Sequence, residues 1–203
     1  MDAIISPDTT REERIPPRQA QTRKWPVLHA GEVPEFDPAT WDFSIVPKPL
    51  VSAVKQFTWP QFLALPRVKV FADMHCVTRW SLLDNLWEGV PTRELLNHVQ
   101  VSPRAKFVMV HCEYGFTTNL PIADFFADDA LFALRHNGED LTPEHGYPLR
   151  LVIPRLYAWK SAKWVRGVEF MERDRPGYWE QGGYHMRGDP WEEQRYRPGF
   201  SFS

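Results

Sequence analysis

Nineteen prolines punctuate a chain of 203 residues that has only 11 glycines. Proline fixes φ, carries no amide hydrogen and breaks a helix from within, so this chain cannot build long helices. It must use short extended segments joined by turns and irregular connections. Five runs rich in β-branched and aromatic residues meet that description, at 41–46, 68–72, 107–111, 149–153 and 163–170. Three short stretches, 59–65, 91–98 and 121–126, have helical composition with proline at or near a boundary. The expected fold class is therefore α+β, mixed and strand-dominated.

With 9 Trp and 13 Phe the chain has enough apolar volume for a substantial core. A net charge of -2 gives no general attraction for nucleic acid, so any basic patch must be local. Residues 1–24 are charged, contain proline and lack periodicity; they are expected to form an extended arm. Residues 25–203 are expected to form one domain, with an aromatic, irregular C-terminal wrap from about 174. No uncharged apolar run approaches the roughly 20 residues a membrane helix needs. Residues 1–7 lead straight into Arg11-Glu12-Glu13-Arg14 without a basic and then apolar leader, and two cysteines cannot build a disulfide framework. A soluble, cytoplasmic protein that contacts neither membrane nor nucleic acid is the expectation.

The first chemical signal is Asp73-Met74-His75-Cys76-Val77-Thr78-Arg79-Trp80-Ser81, where Cys76 stands between an apolar run and a turn. A thiolate there is a soft ligand for a soft or high-valent metal; a small buried core thiol is the simpler reading. The pairs His75-Cys76 and His111-Cys112 also offer zinc-type ligands. Neighbouring strand residues face opposite sides of a sheet, however, and the tight spacing of structural zinc sites is missing.

The second signal is basic. Arg150, Arg155, Lys160, Lys163 and Arg166 are interleaved with Tyr157, Trp159 and Trp164 around the break at Pro154. A strand running into a loop with free amides, a Ser161 hydroxyl and ammonium groups is a receptor for phosphate. A strand edge guarded by lysines explains the same residues. A surface for single-stranded nucleic acid fits the aromatics but not the neutral overall charge.

Four separated motifs carry a resemblance. They are Trp25-Pro26-Val27-Leu28-His29 with Val33-Pro34 and Asp37-Pro38-Ala39-Thr40-Trp41; His75-Cys76-Val77 with Trp80-Ser81 and Gly89-Val90-Pro91; Asn137-Gly138 with His145-Gly146-Tyr147-Pro148-Leu149-Arg150; and Ser161-Ala162-Lys163-Trp164. In that order, residues 25 to about 185 resemble the molybdopterin-binding domain of the sulfite oxidase family. The resemblance implies a molybdenum-molybdopterin cofactor with Cys76 as the single protein ligand to the metal. It implies that His29, His145 and Arg150 hydrogen-bond the pterin and that Ser161, Ala162 and Lys163 hold its phosphate. It assigns a further pterin contact to Cys112, at the end of the 107–111 run. Trp179-Glu180-Gln181-Gly182-Gly183-Tyr184 resembles the segment that bears the family's active-site tyrosine, which places Tyr184, with Arg79, at the substrate.

Two departures bear on the substrate. Val27 stands where sulfite oxidisers have an arginine, and their arginine pair after the cysteine is reduced to Arg79, with Ser81 in the second place. A dianion such as sulfite needs a cluster of charge-assisted hydrogen bonds that this chain largely lacks. The implied activity is two-electron oxygen-atom transfer on a small substrate, with a separate redox partner to reset the metal. The alternatives are an S-oxide or N-oxide reductase, and a non-catalytic molybdopterin-binding module.

Overall fold

The computed structural model describes residues 2–46 and 49–199. Its strands, in chain order, are β1 (Ile4–Ile5), β2 (Ala20–Gln21), β3 (Asp42–Val46), β4 (Lys55–Thr58), β5 (Val68–His75) and β6 (Trp80–Pro91), followed by β7 (Phe107–Cys112), β8 (Thr117–Pro121), β9 (Leu131–His136), β10 (Glu139–Asp140), β11 (Arg150–Val152) and β12 (Val165–Met171). All five expected runs are strands. The helices are short, as the prolines require: α1 (Trp59–Leu63), α2 (Ile122–Phe125) and α3 (Tyr178–Gln181). α1 takes Pro60 in its first turn and stops before Pro66. The 91–98 stretch winds as a 3-10 segment, Thr92–Asn97, rather than an α-helix.

Strands β4, β6, β8 and β9, and the two-residue strands β1, β2 and β10, escaped the sequence reading. In β6 the cause is local: Asp84 has φ 62, and pairing with β5 shifts register between Ala72 and Met74. Such irregularities break the period-2 signal on which strand recognition rests. Gly89, within β6, is demanded by packing, because a Cβ there would collide with the Phe132 carbonyl oxygen.

The strands form two mixed sheets. One runs β1-β5-β6-β9-β10, with β2 beside β6 and β11 beside β9; the other runs β4-β3-β12-β7-β8. The pairs β1/β5, β2/β6 and β3/β12 are parallel. A large apolar core draws on both sheets, including Phe43, Ile45, Val108, Val110, Phe132, Leu151, Val168 and Phe170. Alternate residues of β9, Leu131 and Ala133, join Val70, Ala72, Met74 and Trp87 in a second cluster. Both faces of β9 are thus covered, which buries most of its side chains.

Both terminal stretches of the described residues are attached. In the stretch read as an arm, β1 pairs with β5, β2 pairs with β6, and Arg14 bonds the fully shielded Asp73 side chain through Nη2 at 2.7 Å. Backbone pairing and a buried charge partner order a segment whose composition alone is that of a free tail. In the C-terminal stretch, Asp174 accepts from Asn119 Nδ2 at 2.8 Å, and Tyr184 bridges to Tyr196.

Candidate cofactor cleft

The β5–β6 hairpin positions the thiol. The Cys76 amide donates to the Trp80 carbonyl at 2.9 Å and the Arg79 amide to the Cys76 carbonyl at 3.0 Å, closing a tight turn just beyond β5. Cys76 Sγ accepts from the Thr78 hydroxyl at 3.2 Å. Burial pushes the Cys76 thiol up, opposed by the Thr78 hydrogen bonds and by the charge of Arg195. Around it pack Val77, Tyr157 and Trp159, with Trp80, Trp179 and Tyr184 partly covering them. This thiol lines a cavity of about 240 Å³ that also reaches His29, Arg150, Ser161, Ala162, Lys163 and Tyr184.

At the basic side of the cavity, β11 and the following loop supply the charge. Arg150 is 2% exposed and bonds only carbonyls: His145 through Nη1 and Ser161 through Nη2, both at 2.9 Å, with a longer contact from Nε to Leu151. Its guanidinium lies 5.2 Å from the Trp25 ring centroid and 5.6 Å from that of Trp87. Burial lowers the Arg150 pKa to about 9. Lys163 Nζ donates to the Leu28 carbonyl at 2.9 Å and the Glu144 carbonyl at 2.5 Å. Burial and then the neighbouring Arg150 charge bring Lys163 down to about 7. No Asp or Glu is among the residues lining the cavity. A buried guanidinium bonded only to carbonyls, with a part-buried ammonium beside it and no carboxylate in the cavity lining, is costly, and an anion entering the cavity would relieve that cost.

His145 stands behind this wall. Its ring stacks on Trp25 at 3.9 Å, and Nδ1 meets Thr142 Oγ1 at 2.9 Å. Gly146, at φ 111, lets the chain turn tightly here, since a Cβ would come within 2.9 Å of Arg150 Cβ. Ser161 Oγ accepts from the Ile153 amide at 2.9 Å, fixing the loop rather than pointing free. His29 Nδ1 is 3.0 Å from the Gly31 carbonyl, and its ring meets Trp164 edge-on at 5.4 Å.

Three expected site residues lie outside the cavity lining: His145, behind the wall, and Cys112 and Arg79. Cys112 lies in the core between the sheets, opposite Val165 on β12, and burial raises its thiol pKa. Strand alternation decides this: its neighbour His111 turns outward to Glu169, at 3.2 Å, so Cys112 must turn inward. Arg79 closes the turn at φ 72, with its side chain exposed and outside the cavity lining. The zinc constellation does not form either: among the described residues no three His, Cys, Asp or Glu side chains gather to hold a metal. Sequence reasoning assigned no site role to Trp25, Trp80, Phe116, Trp159 or Trp179, all of which wall the cavity. Their only advance signal is an abundance of aromatics, which a core explains as well.

Comparison with known proteins shows which families and folds this chain is similar to. The model of the family described as oxidoreductase molybdopterin binding domain matches residues 30–179. The uncharacterized oxidoreductase YuiH of Bacillus subtilis (strain 168) is 48% identical over 184 residues, spanning 90% of this chain and 92% of the relative. The putative protein-methionine-sulfoxide reductase subunit YedZ1 of Azospira oryzae is 30% identical over 158 residues, 77% of this chain and 59% of that protein. The crystal structure of the sulfane dehydrogenase SoxCD from Paracoccus pantotrophus superposes with a TM-score of 0.64 at 25% identity, over 71% of this chain and 41% of that one.

Proposed function

Because the chain belongs to the oxidoreductase molybdopterin-binding domain family, we propose that it catalyses two-electron oxygen-atom transfer on a small substrate, with Cys76 as the protein's ligand to molybdenum. The residues present fit the molybdenum-molybdopterin cofactor of this family. A thiol opens onto the cavity, and the buried Arg150 guanidinium and part-buried Lys163 ammonium line it with no carboxylate among the lining residues. When bound, the cofactor supplies the redox-active metal and the dithiolene sulfurs, which is chemistry no side chain provides.

The chain's own residues divide the remaining work. Cys76 offers the soft sulfur. Arg150, His145 and His29 are assigned to the pterin, and Lys163, Ser161 and Ala162 to its phosphate. For this last group the support is the Lys163 ammonium, together with the loop conformation held by Ser161 Oγ. Trp80, Trp159 and Trp179 exclude water from the sulfur, and Tyr184 presents a hydroxyl able to donate to a substrate oxygen.

The substrate reading rests on one observation. The walls packed around Cys76 are aromatic and aliphatic, while Arg79 is exposed outside the cavity. That favours an uncharged organic S-oxide or N-oxide, reduced with electrons from a separate redox partner, over an oxyanion. No helix among the described residues is long and apolar enough to cross a membrane.

The test is a turnover panel on molybdenum-replete protein with reduced artificial electron donors. Neutral sulfoxides and N-oxides are expected to be reduced, whereas nitrate is not, nor is sulfite oxidised when acceptors replace the donors. Turnover confined to oxyanions would overturn the substrate reading. No turnover at all, at about one molybdenum per chain, would favour a non-catalytic cofactor-binding module.

A further inference from the structure

The turn that carries Cys76 is gripped by residues of both the N-terminal and the C-terminal stretch. Gln19 Nε2 donates to the Cys76 carbonyl at 3.0 Å, and Arg195 Nη1 donates to the Val77 carbonyl at 2.6 Å. Arg195 Nη2 also reaches the Pro17 carbonyl at 3.4 Å, which ties the two stretches to each other. The Ala20 amide bonds the Arg79 carbonyl at 2.9 Å. Three of the four carbonyls from 76 to 79 are therefore held from outside the hairpin. Gln19 and Arg195 both lie beyond residues 30–179, the span the family model matches.

Arg195 is an unusual choice for a tail anchor. It is 8% exposed, forms no ion pair with a carboxylate among the described residues, and lies over the Tyr157 ring at 5.0 Å. Tyr157 stacks in turn on the cavity wall Trp159 at 5.3 Å. A shielded guanidinium is costly when its only partners are carbonyls and a ring. The C-terminal stretch is already secured by the Lys160–Glu180 pair at 2.6 Å and by Arg187 on Asp124 at 3.0 Å. Holding the tail therefore does not require Arg195, whereas holding the Val77 carbonyl does.

We propose that Arg195 and Gln19 are positioning residues for the Cys76 thiol, fixing its turn so that the sulfur faces the cavity at the angle a metal ligand needs. The proposal rests on the reading of Cys76 as the metal ligand. Groups that orient a ligand commonly change metal affinity or activity about 10- to 100-fold when removed. By this account the site is completed by two segments outside the matched domain, meeting at one turn.

The experiment uses the cofactor-loaded full chain and the variants Arg195→Met, Arg195→Lys, Gln19→Leu, Arg187→Met and Cys76→Ser. Two readouts besides activity apply: the electron paramagnetic resonance spectrum of the half-reduced, one-unpaired-electron metal, and amide hydrogen exchange at residues 76–80. Arg195→Met is expected to shift the spectrum and to speed exchange at the turn by about tenfold or more. Arg195→Lys, which keeps a donor, restores both towards the parent. Gln19→Leu, on a half-exposed segment, moves both readouts in the same direction and decides the matter if Arg195→Met does not fold. Arg187→Met, which loosens the tail elsewhere, leaves both unchanged. Parent-like spectra and exchange in Gln19→Leu and Arg195→Met would overturn the proposal, as would equal changes in Arg187→Met. An unchanged spectrum in Cys76→Ser would instead overturn the ligand reading, so the two failures are distinguishable.

Discussion

Lys160 and Glu180 meet at 2.6 Å with both side chains fully shielded from solvent. Lys160 Nζ also donates to the Asn119 carbonyl at 2.8 Å and the Met186 carbonyl at 2.7 Å, while Glu180 Oε1 accepts from Trp159 Nε1 at 2.8 Å. One buried charge pair thus joins β8, the 3-10 turn Ala158–Lys160, α3 and the segment beyond it, directly behind a wall of the cofactor cavity.

Glu180→Leu leaves the Lys160 ammonium buried without its counter-charge. The expected cost is about 3–5 kcal/mol, read from urea unfolding midpoints. Lys160→Met combined with Glu180→Leu should recover much of that loss, because the uncompensated charge is then gone. A loss under about 1 kcal/mol in the single variant would mean that water reaches the pair.

Lys163 gives the cavity a pH dependence. Its folded pKa is lowered to about 7 from 10.5, so between those values the unfolded state binds more protons and stability rises with pH. An anion in the cavity favours the protonated form, so sulfate should raise the melting temperature of cofactor-free protein more at pH 6 than at pH 8. Lys163→Met should abolish that difference. Equal sulfate effects at the two pH values would place the anion elsewhere.

Cys76→Ser replaces a soft sulfur by a hard hydroxyl of similar size. Released-pterin fluorescence should stay close to the parent, since Arg150, His145 and Lys163 are untouched, while donor-driven turnover falls to background. Tyr184→Phe keeps the ring packing on Trp159 and Trp179, at 5.1 Å each, and removes only the hydroxyl. It should lower kcat and leave the melting temperature unchanged; a parent-like kcat would confine Tyr184 to packing.

His136 contributes to acid sensitivity. Burial, then the Arg150 and His145 charges, lower its pKa from 6.5 to about 4, and its Nε2 lies 2.9 Å from Asn85 Oδ1. As pH falls through 6.5 towards 4 the unfolded state takes up the proton first, so stability drops across that window. His136→Gln, which can still donate to Asn85, should flatten part of the decline in urea midpoint between pH 7 and pH 4. An unchanged slope would assign the sensitivity to other groups.

Much of this architecture was readable in advance, and the misses have specific causes. The runs at 41–46, 68–72, 107–111, 149–153 and 163–170 carried enough β-branched and aromatic character to declare themselves as strands. β6 did not, because Asp84 and the register shifts break its alternation. Gln19 and Arg195 gave no signal at all, since each acts on a backbone carbonyl more than 50 residues distant in sequence.

By itself the sequence determined the strand-dominated class, through its prolines and β-branched runs, and it supplied the thiol-bearing turn, the basic loop and their order along the chain. Those are local properties, set by backbone sterics and side-chain chemistry. Tertiary structure alone decided that Cys76 faces the cavity while Cys112 faces the core, that Arg79 stays outside, and that Trp25, Trp80, Phe116, Trp159 and Trp179 join the walls. Strand register and the packing of distant segments select which face each residue presents, and neither is encoded in any single stretch of chain.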